Sequence, residues 1–177
     1  IANGGLVLVN RLQRTLRVHR VSDGKPIYTD RTGARQPIAR LLATPDGRLL
    51  VTASRRGALS LRDGRTWQKR GSLPLPDGTI GAPTGLSVDR RSRLLAASWA
   101  NGALALYRLS PPRLLAVAHR PISLLGVALH PDGQRLVAVD RVPSSMPWTL
   151  ALDPRDPPSR LERLLKRYGL RRAHKGL

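Results

Sequence analysis

The chain repeats one segment of its own sequence, and this repetition limits its possible folds more than any other feature does. The segment from Ala43 to Arg62, ATPDGRLLVTASRRGALSLR, aligns without a gap on VDRRSRLLAASWANGALALY, which begins 45 residues later at Val88. A third copy, ALHPDGQRLVAVD, begins at Ala128. A period of about 40 to 45 residues indicates an array of equivalent supersecondary units.

Each unit has the pattern of short antiparallel strands. In the unit from Ile38, apolar runs alternate with polar residues at period two and are separated by Asp-Gly and Arg-Gly turns. These signals predict the strands IARLLAT, RLLVTAS and ALSLRD, with WQKRGSLP as a fourth strand at the outer edge. Four strands in a unit of this length are typical of one blade of a β-propeller.

The whole chain therefore predicts an all-β fold: a β-propeller of about four four-stranded antiparallel blades, with the first blade incomplete. The repeat units run over about 3–37, 38–80, 81–120 and 121–156. The first unit begins at the turn Asn3-Gly4, so the alignment leaves no sequence for its first strand. The blades together occupy 3–156, and a separate basic segment follows at 157–177.

The repeated pattern resembles the WD-repeat family of β-propellers. The resemblance covers nearly everything from Asn3 to Asp153 and rests on a hydrophobic run, Pro-Asp-Gly, a second apolar run and Gly-x-Leu-x-Leu. The copies depart from the family where Trp-Asp is usual, since Arg62-Asp63 and Tyr107-Arg108 occupy those places. The Gly-His pair is missing too, and such degenerate copies are common in members outside eukaryotes, as in bacteria. The resemblance implies a platform for binding rather than a particular chemistry.

Three and a half blades are too few to close a ring, because closed propellers typically hold about four to eight. Three explanations stay open at this stage. The missing blades belong to an upstream part of the protein, several copies assemble into one ring, or the unit is a compact four-bladed variant that obtains its missing strand elsewhere. Unpaired blade edges invite partners, so an isolated half-ring is unfavourable.

The C-terminal segment predicts a short helix. Prolines end the last strand, and SRLERLLKRYGLRRAHKGL follows. Ser159 and Glu162 have the spacing of a capping box, and Gly169 is a typical stop. Leucines at helical spacing would pack on the edge of the last blade, and the basic tail after the helix could contact an acidic surface.

The sequence contains no pattern of catalytic residues. Glu162 is the only Glu, and Asp46, Asp77 and Asp132 stand beside Gly in turns, where Asp is favoured because it bonds backbone amides. The four histidines, His19, His119, His130 and His174, lack metal-ligand spacing, and there is no Cys. We therefore expect no enzyme, no cofactor and no metal. A hydrolase would need residues such as His19 or Asp140 to converge in a central channel.

The net charge of +20 comes from 31 Lys and Arg against 11 Asp and Glu. In propellers of this family, the loops that lead into each unit and the second turns share one face. In this chain those loops place eight arginines there, which we take as the candidate contacts: Arg11, Arg14, Arg31, Arg35, Arg55, Arg56, Arg120 and Arg141. The opposite face has Arg48, Arg90, Arg91 and Arg93, so the charge is spread over both faces. A generally basic, solvated surface explains this composition as well as an anionic partner does.

The function predicted from these features is a non-catalytic protein-interaction or sensing scaffold within a larger WD-repeat propeller protein or assembly. Its partner would be another protein or the remaining blades. The alternative is a basic module that binds nucleic acid or another polyanion through the arginine-rich loops. With no apolar run near the length of a membrane helix and no visible signal peptide, we expect no membrane partner and a cytoplasmic location.

Overall fold

The computed structural model describes residues 5–10, 15–30, 37–141, 148–151 and 170–171, with side chains described for 16–30 and 37–141. All regular structure in these residues is β-strand. The predicted helix from Ser159 to Gly169 lies outside the described residues. Arg11, Arg14, Arg31 and Arg35 also lie outside them.

Four antiparallel sheets follow one another along the chain. The first contains β1 (Gly5–Asn10), β2 (Thr15–Arg20) and β3 (Pro26–Thr29), and the second contains β4 (Ile38–Ala43), β5 (Leu49–Ser54), β6 (Leu59–Asp63) and β7 (Lys69–Leu73). The third contains β8 (Pro83–Val88), β9 (Leu94–Trp99), β10 (Ala103–Leu109) and β11 (Pro112–His119). The fourth contains β12 (Leu124–Leu129), β13 (Arg135–Asp140) and β14 (Trp148–Ala151).

The predicted all-β architecture with four-stranded antiparallel sheets is confirmed. Consecutive strands are hydrogen-bonded neighbours in every sheet, as expected for strands joined by tight turns. The register of the first sheet pairs Val7 with Val18, and that of the second pairs Val51 with Leu61. The three described strands of the first sheet therefore correspond to the second, third and fourth strands of the second sheet.

The hydrophobic cores lie between the sheets. Successive side chains of a strand point to opposite faces, so one strand can fill two interfaces. Leu50 is buried in the cluster shared with Leu16 and Val18 of the first sheet, whereas its neighbour Val51 belongs to the cluster shared with the third sheet. A third cluster joins the third sheet to the fourth, where Leu124 and other apolar residues are buried. The sheets are thus stacked face to face, as blades are in a propeller.

Turns at one end of the sheets also hydrogen-bond from sheet to sheet. The first turn of each unit lies at 44–48, 89–93 and 130–134, and these three segments form what we call the first-turn end. The amide of Asp46 donates to Ser92 Oγ at 3.1 Å, and the amide of Arg90 donates to the Pro131 carbonyl at 3.0 Å. These hydrogen bonds therefore hold neighbouring sheets in a fixed orientation relative to each other, in addition to the packing of their cores.

Two residues from the C-terminal part of the chain form a further strand. The strand β15 (Leu170–Arg171) pairs antiparallel with the outer edge of the third sheet, with Val117 opposite Arg171 and Ala118 opposite Leu170. The sequence predicts a tail at this place and not a strand. Pairing at β11 covers part of an edge that would otherwise present unpaired backbone groups.

Candidate interaction surfaces

Two of the predicted contact arginines lie at a second turn. Arg55 and Arg56 occupy the turn between β5 and β6 and are exposed, and neither forms an ion pair with a described acidic residue. The amide of Arg55 donates to the Pro37 carbonyl at 2.9 Å, which fixes the turn against the segment that leads into the second sheet. These two guanidinium groups are available to a ligand.

Arg120 and Arg141 lie at the other described positions of the predicted set. Arg120 is half-buried, and its amide donates to the Gly102 carbonyl at 3.0 Å. Arg141 is exposed, and its amide donates to the Ser123 carbonyl at 3.0 Å. Of the four predicted arginines that are described, three are exposed and lie in the second and fourth sheets: Arg55, Arg56 and Arg141. The fourth, Arg120, is partly covered.

A denser group of arginines lies at the first-turn end of the third sheet. Arg90, Arg91 and Arg93 are exposed in the turn between β8 and β9. The hairpin between β10 and β11 lies beside this turn, because the Leu109 amide donates to the Arg93 carbonyl at 2.9 Å. That hairpin adds Arg108, which is half-buried, and Arg113, which is exposed. We call these five residues the arginine turn surface.

Two members of this surface face each other directly. Arg108 on β10 and Arg113 on β11 are cross-strand partners in the sheet register. Side chains in such positions lie about 5 Å apart at Cβ, and like charges placed there repel and destabilise the sheet. The pair therefore costs stability that an anion bound between the two guanidinium groups would offset.

Acidic residues at the first-turn end are bonded within their own turns. Asp89 is fully buried, and its Oδ1 accepts the amides of Arg93 and Leu94, both at 2.7 Å. Asp132 accepts the Gln134 amide at 2.7 Å and lies 2.9 Å from His130 Nδ1. The Gln134 hydrogen bond is the main reason that the pKa of Asp132 lies below its usual range. Neither carboxylate forms an ion pair with a guanidinium group of the arginine turn surface.

Aspartates also accept backbone amides in the turns of the second sheet. Burial of Asp46 tends to raise its pKa, but hydrogen bonds from the Thr44 hydroxyl and the Arg48 amide outweigh burial, so the pKa is lowered. Asp63 accepts the amides of Thr66 and Arg65 at 2.7 and 2.8 Å, which lowers its pKa to about 2. These carboxylates order turns, as the sequence predicts for Asp46 and Asp132.

The face of the fourth sheet that would meet a following sheet is exposed. We call the face that each sheet turns toward the next sheet in chain order its leading face. In the fourth sheet, Leu124 and Ala138 point back into the third-sheet core, and Gly126 and Val139 are paired on the opposite, leading face. Val139 is 45% exposed, and the neighbouring Leu125 is 50% exposed. A contiguous exposed apolar patch can mark an interaction site.

One position in the first strand of each unit controls how closely the next sheet approaches. Arg40, Gly85 and Gly126 each follow a register shift at the same place in β4, β8 and β12. A Cβ on Gly85 would lie 2.7 Å from the Val127 amide nitrogen, so glycine is required for the contact between the third and fourth sheets. A Cβ on Gly126 would have no atom of the described residues within 4 Å.

The equivalent residue in the second sheet contacts its neighbour differently. Arg40 extends across to β8 and donates from Nε to the Pro83 carbonyl and from Nη2 to the Thr84 carbonyl, both at 3.3 Å. In the second and third sheets, whose first strands are described, this position therefore contacts the first strand of the following sheet. Gly126 is the same position on the open leading face of the fourth sheet.

The described residues include no group of three or more His, Cys, Asp and Glu residues that could hold a metal ion. Two of the three described histidines bond locally: His19 Nδ1 lies 2.8 Å from the Gly24 carbonyl, and His130 bonds within its own turn. Among the same residues, no helix is long and apolar enough to cross a membrane.

Comparison with solved structures identifies the fold. The chain is similar to the β-propeller domain of Cps50 (Swd1) from Myceliophteria thermophila, with a TM-score of 0.57 and 18% sequence identity. The similarity covers 65% of this chain and 35% of that chain, so this chain spans about a third of the length of the propeller domain that it matches. The fold is therefore β-propeller-like. No family model matches the sequence, and no curated protein matches it.

Two features of these surfaces were not identified from the sequence: the glycine at the close contact between sheets, and the pairing of Arg108 with Arg113. PTGLSV at 83–88 and LLGVAL at 124–129 both have glycine as their third residue, so a signal for the close approach of sheets was present. The pairing of Arg108 with Arg113 follows from the hairpin RLSPPR, whose Ser-Pro-Pro turn predicts that the flanking residues face each other.

Proposed function

We propose that this chain is a non-catalytic protein-interaction module, a WD-repeat-like portion of a larger β-propeller, whose fourth sheet packs against a further blade. One observation carries the proposal: Gly126 and Val139 stand open on the leading face, where the equivalent Gly85 in the third sheet is in contact with the following sheet. The propeller-like neighbour supports an interaction role of this general kind.

The occupant proposed for this face is the innermost strand of another four-stranded blade. The three inter-sheet cores already present follow one pattern, in which apolar residues of a leading face are covered by the next sheet. The open face continues that pattern with Val137 and Val139, and the missing side chain at Gly126 leaves room for backbone approach. Burying such a face is favourable by about 25 cal/mol for each Å² of apolar area.

The native mass of the purified 177-residue chain tests the proposal. With its leading face open, the chain should associate with another copy or a co-purifying polypeptide and run above its own 19.4 kDa at both low and high salt. Val139→Asp places a charge on that face and should give a monomer.

Val21→Asp is the matched control, because Val21 is 58% exposed in the turn after β2 and belongs to the first sheet, not to the fourth. It should leave the mass as in the wild type. A wild-type chain that is monomeric at both salt concentrations would refute the proposed packing, as would a Val139→Asp chain that still associates.

A further inference from the structure

We propose that the arginine turn surface binds duplex nucleic acid through its phosphate backbone, without reading the base sequence. This surface, Arg90, Arg91, Arg93, Arg108 and Arg113, differs from the loops that the sequence points to. It is also separate from the leading face of the fourth sheet. The inference does not depend on the packing of a further blade.

The density of positive charge is the first argument. Five guanidinium groups lie on one turn and the hairpin hydrogen-bonded to it, through the Leu109 amide and the Arg93 carbonyl. None of the five forms an ion pair with a described acidic residue. Other described arginines have such partners: Arg20 pairs with Asp23, and Arg62 pairs with Asp30. Planar guanidinium groups suit phosphate because each can donate two parallel hydrogen bonds.

The described acidic groups nearest to this surface form no ion pair with its guanidinium groups. Asp89 is buried with Oδ1 on two backbone amides, and its Oδ2 has no hydrogen-bond partner among the described residues. Asp132 lies in the neighbouring turn, next to Pro131, which accepts the Arg90 amide, and its carboxylate faces His130 and Arg135. Five guanidinium groups therefore outnumber the two carboxylates beside them, and this excess of positive charge favours a polyanion.

The repulsion between Arg108 and Arg113 is the second argument. Directly opposed like charges destabilise a sheet, so this pair does not serve the stability of the fold. A phosphate between the two side chains would convert the repulsion into two attractive contacts.

The surroundings favour a duplex over a protein or a single strand. Protein interfaces depend on buried apolar or aromatic anchors, and none of the large exposed apolar side chains of the described residues lies in 89–93 or 108–113. Single strands are held by stacking of bases on aromatic rings. The described Trp67, Trp99 and Tyr107 are buried in the cores instead. A duplex backbone needs only the guanidinium groups.

Binding of a fluorescein-labelled 20-bp DNA duplex of arbitrary sequence, followed by anisotropy at a series of NaCl concentrations, tests the inference. The substituted protein is the full chain with Arg90→Gln, Arg91→Gln and Arg93→Gln. The matched control has Arg55→Gln, Arg56→Gln and Arg141→Gln, which removes the same charge from exposed positions elsewhere.

We expect the turn variant to bind at least about 30-fold more weakly at moderate salt, and the slope of log K against log[NaCl] to fall by about 2 to 3 because three phosphate contacts are lost. The control should stay within about threefold of the wild type. An equal loss in both variants would show that net charge alone is responsible and would overturn the proposal. The absence of duplex binding at low salt would overturn it as well.

Two further measurements distinguish duplex binding from a structural role of Arg113 and from the binding of acidic proteins. Arg113→Gln should weaken duplex binding and leave the thermal midpoint of unfolding unchanged or raised, because it relieves the repulsion with Arg108. A variant that loses stability instead would assign Arg113 a structural role.

A poly-glutamate peptide of equal charge should compete poorly with the duplex, and equal competition would assign the surface to acidic proteins and overturn the duplex proposal.

Discussion

Arg62 Nη2 lies 2.6 Å from Asp30 Oδ2, and this ion pair joins the second sheet to the end of the first. Both side chains are nearly inaccessible, with exposed fractions of 8% and 5%. Arg62 Nη1 also donates to the Trp67 carbonyl at 3.1 Å, so the guanidinium connects two chain segments at once. The interface between these sheets is therefore fixed by charge as well as by the apolar cluster around Leu16 and Leu50.

Removing either charge of this pair should destabilise the fold. Arg62→Met or Asp30→Asn leaves the partner charge buried without its counterion, which costs about 3 to 5 kcal/mol in the free energy of unfolding. The double variant should be less destabilised than the sum of the two single variants, because it leaves neither charge behind. Urea unfolding of all four proteins measures the difference, and additive effects would show that the pair is not coupled.

Alanine at the two equivalent glycines should have opposite effects. Gly85→Ala forces a methyl group against the backbone of β12 and should lower the free energy of unfolding by about 1 to 3 kcal/mol. Gly126→Ala meets open space and should be neutral or stabilising by up to about 1 kcal/mol, because alanine loses less conformational freedom on folding. Urea unfolding in the monomeric Val139→Asp background checks both, and equal destabilisation would contradict the assigned geometry.

Association should respond to Gly126→Ala even though stability does not. If a further blade approaches this face as closely as β12 approaches β8, the added methyl group meets its backbone. Sedimentation of Gly126→Ala in the otherwise wild-type chain should then show weaker association than the wild type. Unchanged association would mean that the occupant does not come close at this position.

Acid should weaken the turn between β6 and β7. The pKa of Asp63 is about 2 in the folded chain and 3.8 as an ordinary Asp, so the unfolded chain binds more protons between these values. The contribution of Asp63 to the free energy of unfolding is complete above about pH 5 and is lost as the pH falls through about 2. Asp63→Asn keeps an acceptor oxygen for the turn but does not titrate. The difference in stability between wild type and Asp63→Asn should shrink over this range, and parallel pH curves would contradict the prediction.

Two leucines test the assignment of interior and open faces. Leu95 is completely buried between the second and third sheets, so Leu95→Ala should cost about 2 to 5 kcal/mol in the free energy of unfolding. Leu125→Ala, on the exposed part of the fourth sheet, should cost less than about 1 kcal/mol in the monomeric background. A large loss at Leu125 would mean that the chain itself covers this face.

The strands were predictable because the local signals agree with the packing. Alternation and Asp-Gly turns predict IARLLAT and RLLVTAS, and the structure forms β4 and β5 within them, since both faces of the second sheet are covered by neighbouring sheets. The aromatic residues Trp99 and Tyr107 are buried in the core between the second and third sheets. Burial of Tyr107 raises its pKa.

The surfaces were less predictable because they depend on cross-strand and cross-sheet proximity. Sequence order separates Arg93 from Arg113, and only the hairpin register brings them to one place. Likewise, Asp30 and Arg62 belong to different units, and nothing in the period of the repeat predicts that they pair. The β15 strand pairs with an edge far back in the chain, which local propensity does not specify.

The residue that follows the register shift in each first strand also determines which units can be neighbours. Arg40 requires a neighbouring strand whose carbonyl groups lie within reach of its guanidinium group. The strands β4 and β8 are accordingly farther apart than β8 and β12. Gly85 requires a neighbour whose backbone comes into direct contact. Exchanging these two units by recombination would place an arginine where no room exists and a glycine where a gap remains. The second and third units are therefore not interchangeable, and a unit that packs on the fourth sheet must fit against a glycine.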